Sequence, residues 1–323
     1  MMDLPFILNF LLMCAKAAGL LGFVSISVMF LIWWERKISA HIQSRLGPMI
    51  VGWHGALQTI ADTLKLLLKE NIVCREADKL TFWLAPLVVF VASFLPFVAI
   101  PFSKNLIAQD LPLGLLYILA VSSVGVIGIF MAGWGSGNKY SLLGGMRTAA
   151  QIISYEIPLV LSILPIVMMT GSLSMNTIIG AQKNVWFICY QPIAFLIYFI
   201  SAIAEVNRAP FDIAEAESEL VAGFHTEYSG MKFSMFFLAE YTNMFVVSVI
   251  ATTLFLGGWQ GPLLPGIAWF LLKVYFLIFV MMWIRWTFPR LRVDQLMDFA
   301  WKFLMPLAFL NILVTALVMA LIK

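Results

Sequence analysis

Residues 188–257 read ICYQPIAFLIYFISAIAEV (188–206), NRAPFDIAEAESELVAGFHTEYSGMK (207–232) and FSMFFLAEYTNMFVVSVIATTLFLG (233–257). Two apolar runs, each long enough to cross about 30 Å of hydrocarbon, are joined by a segment of opposite character. Between Pro210 and Gly230 stand Asp212, Glu215, Glu217, Glu219 and Glu227 with no Lys or Arg, and Glu205 lies just before them. About a third of the chain's 17 acids are gathered here. Like charges held together raise one another's pKa, so this cluster can hold or pass protons near neutral pH. Proton-linked chemistry becomes the leading question.

The same alternation runs outward along the chain. It is 62% hydrophobic and 11% charged, with a mean hydropathy of +0.96, against about 25% charged in soluble domains. That composition predicts an all-α membrane protein. Spans are expected near residues 9–34, 80–103, 113–134, 148–171, 188–206, 233–257, 266–288 and 300–322. Eight spans put both termini on one side. Inside loops are expected at about 35–79, 135–147, 207–232 and 289–299. With the adjoining 285–302 they hold Arg36, Lys37, Arg45, Lys65, Lys69, Arg75, Lys79, Lys139, Arg147, Arg208, Lys232, Arg285, Arg290, Arg292 and Lys302, leaving few of the 20 basic residues elsewhere. The positive-inside rule then places these loops in the cytoplasm or its organellar equivalent, with both termini outside. No internal repeat is visible, so residues 1–323 are expected to form a single polytopic membrane domain and not an inverted-repeat transporter.

Several chemistries are disfavoured. Cys14, Cys74 and Cys189 are isolated, and His41, His54 and His225 are scattered, so no iron–sulfur, haem or zinc site has recognisable spacing. No cofactor or metal is expected on this chain. The amino terminus, acidic at Asp3 and without Lys until Lys16, lacks the basic n-region of a secretory signal, so the first helix is expected to be retained. The Gly-rich stretch 133–145 follows an apolar helix and lacks G-K-[ST], which reads as a turn between helices and not a phosphate loop. The pI of about 8.7 reflects loop charges that set orientation, and no nucleic acid is expected as partner.

Within the first inside loop Gln58, Asp62, Lys65 and Lys69 recur at helical spacing, with Leu57, Ile60, Leu64, Leu67 and Leu68 on the other face. This predicts an amphipathic helix of about four turns lying in the membrane interface, either as an anchor or as the frame of an entrance for a lipid-soluble substrate. Asp62 is the residue an anchor explains least, although Lys65 could pair with it. Three further acids, Glu156, Glu205 and Glu240, fall within or at the end of spans, where a carboxylate costs about 2.5–3.5 kcal/mol. Each needs a partner, a proton or a water-filled cavity. In the acidic loop, Pro210, Asp212 and Glu215 are expected to start a short helix that Gly223 ends, with Glu215 and Glu219 on one face and Glu217 on another. The bland alternatives are protonated packing residues in the spans and a solvated acidic loop.

Taken together, Glu35-Arg-Lys37, Gln43-Ser-Arg-Leu-Gly-Pro48, Gln58 to Lys65, Asn138-Lys-Tyr-Ser-Leu-Leu-Gly145, Ser154-Tyr-Glu156, the acidic loop, Ala239-Glu-Tyr-Thr242, Ile284-Arg-Trp-Thr-Phe-Pro-Arg-Leu-Arg292 and Asp294-Gln-Leu-Met297 resemble one family. It is the NuoH subunit of respiratory complex I, the NADH-quinone oxidoreductase, and the counterpart of mitochondrial NADH dehydrogenase subunit 1. The resemblance covers nearly the whole chain.

That resemblance implies an enzyme subunit without a complete active site of its own. It would form much of a quinone chamber where the membrane arm meets the peripheral arm, and bind quinone as substrate without carrying electrons. Glu35, Arg36, Asp62, Lys65, Phe224 and Glu227 would line the chamber. Glu156, Glu205, Asp212, Glu215, Glu217, Glu219 and Glu240 would couple quinone reduction to proton translocation, with Glu35 and Glu227 part of the same acidic funnel. Arg45, Arg208, Arg285, Arg290 and Arg292 would hold inside loops or balance the acids; positive-inside topology alone accounts equally well for Arg290 and Arg292. FMN and iron–sulfur clusters would sit on partner subunits, and the remaining partners would be other membrane subunits and membrane lipid. The setting implied is a bacterial inner membrane, or an organellar one. The related membrane subunit of a hydrogenase or of a ferredoxin- or F420-linked reductase shares this plan, and a stand-alone ion channel or proton transporter is the reading from another class.

Overall fold

The computed structural model describes residues 4–104, 106–213, 217–262 and 264–322. Among the described residues the regular structure is helical, and an isolated bridge pairs Ser103 with Leu106. Residues 1–67 and 68–323 form two compact units.

In the first unit, α1 (Leu4–Ile42) leads through a short turn at Trp53–Gly55 to α2 (Gln58–Leu68). No proline interrupts the body of α1, which continues past the expected end of the first span and so carries Glu35, Arg36 and Lys37 on helix. Beyond it the chain turns at Ser44, with a φ of 53°, before Gly47-Pro48. The α2 helix is amphipathic as expected. Thr59 is buried, while Leu57, Ile60, Leu64, Leu67 and Leu68 are exposed, as suits a helix whose apolar face meets lipid.

The second unit contains α3 (Lys79–Phe94), α4 (Gly114–Gly135), α5 (Lys139–Thr170), α6 (Met175–Ala181), α7 (Phe187–Tyr190), α8 (Pro192–Glu205), α9 (Glu217–Leu220), α10 (Gly230–Phe255), α11 (Gly266–Thr287), α12 (Val293–Asp298) and α13 (Met305–Ile322). A wide turn at Phe299–Leu304 makes α12 and α13 nearly continuous. Lipid tails offer no hydrophobic drive between helices, so close packing at small residues must hold them. A Cβ on Gly128 would come within 2.5 Å of the Val89 side chain, and one on Gly133 within 2.8 Å of the Ser141 carbonyl. Glycine therefore lets α4 approach α3 and α5. Phe82, Val89, Ile129, Ile152, Phe224 and Phe236 form the core where these helices meet α10 and the acidic loop.

Among the described residues seven helices are long and apolar enough to cross a membrane: residues 13–42, 79–98, 114–135, 139–170, 230–255, 266–287 and 293–321. The expected fifth span is shorter. The α8 helix begins at Pro192 and has 14 residues. Its rise of about 21 Å falls short of about 30 Å of hydrocarbon. Gln191 breaks the helix with φ −131° and ψ 56° because the residue before a proline is pushed out of the α region. Gln191 Nε2 donates to Thr315 Oγ1 at 2.9 Å and its Oε1 accepts from Asn311 Nδ2 at 3.0 Å, so the break is hydrogen-bonded within protein. Loop limits also differ. Most of 135–147 is the start of α5, capped by the Asn138 side chain accepting from Tyr140 N, and most of 289–299 is α12.

Candidate functional site

Much of the described part of the acidic segment is packed against the helices, although Glu219 and Val221 are exposed. Phe211, Asp212, Ile213, Leu220, Phe224, His225 and Tyr228 are buried, and the segment is tied at three places to distant parts of the chain. Gln151 Nε2, buried on α5, donates to Ala204 O at 2.8 Å and Phe211 O at 2.6 Å, joining the end of α8 to the segment's start. Leu291 N donates to Pro210 O at 3.0 Å, and Arg290 Nη2 lies 2.8 Å from Asp212 Oδ2. Tyr228 stacks on Phe82 with ring centroids 4.2 Å apart. A Cβ on Gly144 would sit 2.7 Å from Gly223 Cα, so only glycine admits the turn at 223–225 onto α5.

Glu227 is the third tie. Its Oε1 accepts from Asn138 Nδ2 at 2.6 Å and its Oε2 from Cys74 Sγ at 2.7 Å. One carboxylate thus clasps three segments that connect helices, around residues 74, 138 and 227. The hydrogen bond to Glu227, with burial second, pushes the Cys74 thiol up from its ordinary pKa.

Above the segment, a cleft runs between α3, α4, α5, α8 and α10. Tyr198, Glu205, Asn207, His225, Glu240 and Asn243 are among its lining residues, with about 70 Å³ open to water-sized groups, room for a few waters. The two acids differ in their surroundings. Glu240 Oε1 lies 2.8 Å from Arg208 Nε, and the Arg208 guanidinium, only 4% exposed, sits 4.3 Å from the Tyr241 ring centroid. Removing either partner of such a nearly sealed pair would strand the other. Glu205 has no hydrogen bond or ion pair among the described residues, and neither has Glu156. Glu205 and Glu240 thus share the cleft in unlike settings, Glu240 beside a buried guanidinium and Glu205 with no such partner among the described residues.

In the first unit, Arg36 Nη1 lies 2.6 Å from Asp62 Oδ2, and Gln58 Nε2 donates to Asp62 Oδ1 at 3.2 Å. Burial works to raise the Asp62 pKa, but the hydrogen bonds from Arg36 and Gln58, helped by the charges of Arg36 and Lys65, hold it below the usual carboxylate range. Asp62 therefore joins α2 to α1 through Arg36, and Lys65 is exposed. Among the described residues no group of three or more His, Cys, Asp or Glu is arranged to hold a metal ion.

A family model described as NADH dehydrogenase matches residues 15–316. The chain belongs to that family. Its relatives include the NADH-quinone oxidoreductase H subunit of Dehalococcoides mccartyi, 60% identical over 297 residues that make up 92% of this chain and 84% of that protein. The corresponding H subunit of Carboxydothermus hydrogenoformans is 49% identical over 315 residues, 96% and 90% of the two chains. That of Anoxybacillus flavithermus is 52% identical over 305 residues, 92% and 90%. The family expectation drawn from the motifs is borne out, as is the all-α membrane fold.

In this member of the NADH dehydrogenase family the expected site residues fall into distinct settings. Glu205 and Glu240 share one cleft, Arg36 meets Asp62, Arg208 meets Glu240 and Arg290 meets Asp212. Glu219 is exposed and pairs with Arg147 at 2.6 Å. Glu35 is buried on α1. Glu215 lies outside the described residues, as does the side chain of Glu217, so the expected pairing of Glu215 with Glu219 on one helical face does too. The described helix α9 is shorter than expected, and Asp212, expected near its start, is drawn to Arg290. Arg285 lies 5.7 Å from the Trp286 ring centroid, Arg292 is exposed at the start of α12, and Arg45 donates to Gln43 at 2.6 Å. Sequence reasoning missed Cys74, Asn138 and Gln151 as holders of the acidic segment. Asn138 opens one of the family motifs, but nothing local in the sequence reveals contacts this distant.

Proposed function

We propose that this chain is the quinone-binding and proton-coupling membrane subunit of NADH-quinone oxidoreductase. The observation that carries this reading is the cleft holding Glu205 beside Glu240, one acid free and the other locked to Arg208, in a chain of this family. Quinone reduction takes two electrons and two protons, and the negative charge arriving with the electrons raises the proton affinity of nearby carboxylates, about 1.36 kcal/mol for each pKa unit. Glu205 and Glu156 take up and release protons in response. Glu240, Asp212 and their arginines keep the field around them fixed, and the tied acidic segment, with Glu215, Glu217 and Glu219, carries the change between chamber and cleft. Glu35, Arg36, Asp62 and Lys65 of the first unit serve quinone binding, as do Phe224 and Glu227 of the second.

Electrons come from iron–sulfur clusters and FMN on peripheral-arm subunits, and this chain meets those subunits, its membrane neighbours and lipid. It is one polytopic domain of a bacterial inner membrane, with basic loops inside and both termini outside. The positions of the basic residues support that orientation, with α7 and α8 together completing an eighth crossing.

The test is inhibitor-sensitive quinone reduction by NADH in membranes carrying the native chain or Glu205→Gln. The variant is expected to lose at least tenfold in quinone reduction and the linked proton uptake, while NADH oxidation by ferricyanide, which bypasses the membrane arm, is kept. Undiminished quinone reduction with full proton translocation would overturn the assignment. Hydrogen turnover without NADH-dependent activity would move the chain to the hydrogenase branch.

A further inference from the structure

The first unit carries a second cavity that the quinone and proton reading does not use. It is an open basin of about 740 Å³, lined by Trp33, Lys37, His41, Arg45, Trp53 and His54 together with small and apolar residues of the 44–49 turn. No acid lines it. Trp33, Lys37, His41 and Ser44 recur every three or four residues, so the first three share one face of α1 and Ser44 follows them past its end. Arg36 points about 100° away around the helix, so the Arg36–Asp62 tie is on another side.

The loop that closes the basin is built for it. His54 and Ser44, both in the lining, hold left-handed backbone with φ of 53°, a conformation that non-glycine residues adopt at a cost and that collects at ligand sites. Gly52 and Gly55 flank the turn with φ of 74° and 75°, and a Cβ on Gly55 would collide with the Pro48 carbonyl. Lys37 Nζ donates to Pro48 O at 2.7 Å and lies 3.1 Å from Met49 Sδ, Trp33 Nε1 donates to His54 O at 3.3 Å, and the Trp53 and His54 rings meet edge to face at 4.3 Å. Arg45 uses Nε on Gln43, which leaves its terminal guanidinium donors, with a further Lys37 N–H, for a ligand. Trp53 is 82% exposed.

We propose that this basin binds an anionic phospholipid, with its phosphate between Lys37, His41, Arg45 and His54 and its chains along Trp33 and Trp53. Three observations select this ligand. The charge is of one sign, tryptophans flank it as they do at membrane–water interfaces, and it lies at the inner end of an apolar span beside an interfacial helix, where anionic headgroups gather. A lipid held there would fix the turn between α1 and α2.

The assembled complex carrying this chain, purified in phosphatidylcholine, is titrated with dioleoyl phosphatidylglycerol, and retained lipid is counted by mass. The native complex should retain phosphatidylglycerol in preference to phosphatidylcholine, with half-saturation raised about tenfold in Arg45→Gln and restored in Arg45→Lys. A native gel showing the peripheral arm still attached separates weakened binding from failed assembly. Equal retention of the two lipids, or an unshifted titration in Arg45→Gln, overturns the proposal. So does full displacement by millimolar inorganic phosphate, which marks a free-phosphate site. Loss of the peripheral arm with lipid retention unchanged overturns it in favour of an acidic protein partner. None of these readouts depends on quinone reduction, so the site stands or falls apart from the function proposed above.

Discussion

Replacing Arg208 by Gln removes the cation from a pair that is nearly sealed. Arg208 is 4% and Glu240 19% exposed, the Nε–Oε1 distance is 2.8 Å, and the guanidinium also lies over Tyr241. Stranding one partner of a buried pair costs about 3–5 kcal/mol, and the lost contact with the ring adds about 1–2 kcal/mol. Glu240 can escape the penalty only by taking a proton or by opening the end of α8. The double variant Arg208→Gln/Glu240→Gln buries no charge, and amides of similar shape can meet in the same place, so most of the penalty should disappear. The assay is the half-time of thermal inactivation of NADH–quinone reductase in purified complex. With about 1.36 kcal/mol per factor of ten, Arg208→Gln should shorten that half-time at least 100-fold, and the double variant should return to within about tenfold of the native complex. The pairing is refuted if the double variant is as short-lived as the single one, or if the two single effects simply multiply.

Gly144→Ala drives a Cβ to within 2.7 Å of Gly223 Cα and 2.9 Å of Phe224 N, both backbone, so a loss of about 1–3 kcal/mol is expected. Proteolytic nicking of 207–232 should rise, and an unchanged cleavage pattern would show that the close approach is unimportant. Because Glu227 holds the Cys74 thiol protonated, the thiolate fraction at pH 8 is below that of an ordinary cysteine and maleimide labelling should be slow; Glu227→Gln should accelerate it several-fold, and an equal rate in both would deny the clasp. The Asp62 carboxyl is held below its ordinary pKa, so the stability it lends is present above the unfolded value and lost as pH falls through the lowered folded one. As Arg36 is 40% exposed, the tie is worth less than about 1 kcal/mol, and Asp62→Asn should speed amide exchange across α2 at pH 7 by about fivefold or less. A larger change would mean that Asp62 does more than bind Arg36.

Much of the membrane plan was legible because hydropathy acts locally. The α2 helix was predictable from the alternation of Gln58, Asp62 and Lys65 with leucines, since helical spacing alone sorts its faces. The expected fifth span was the weakest part. Its composition reads as continuous, yet Pro192 displaces Gln191 from helix, and the break survives because Asn311 and Thr315, over a hundred residues away, satisfy it. The acidic segment was visible as a cluster of charge. Its burial was not, since that depends on Gln151, Gly144 and Phe82, which carry no mark of the task in their own neighbourhood.

By itself, the sequence determined the character of each stretch of chain: which runs are strongly apolar, which helix is two-faced, which connections carry the basic residues, and that an acidic cluster follows the fifth apolar run. Those are properties of neighbours along the chain, set by transfer free energy and helical period. Only the tertiary structure decided the fate of each acid. Asp212 finds Arg290 78 residues on, Glu227 finds Cys74 153 residues back, Glu240 is fixed by Arg208, and Glu205 is left to the cleft. The physical reason is that a carboxylate's charge state answers to whatever lies within a few ångströms of it, and packing, not sequence order, chooses those neighbours.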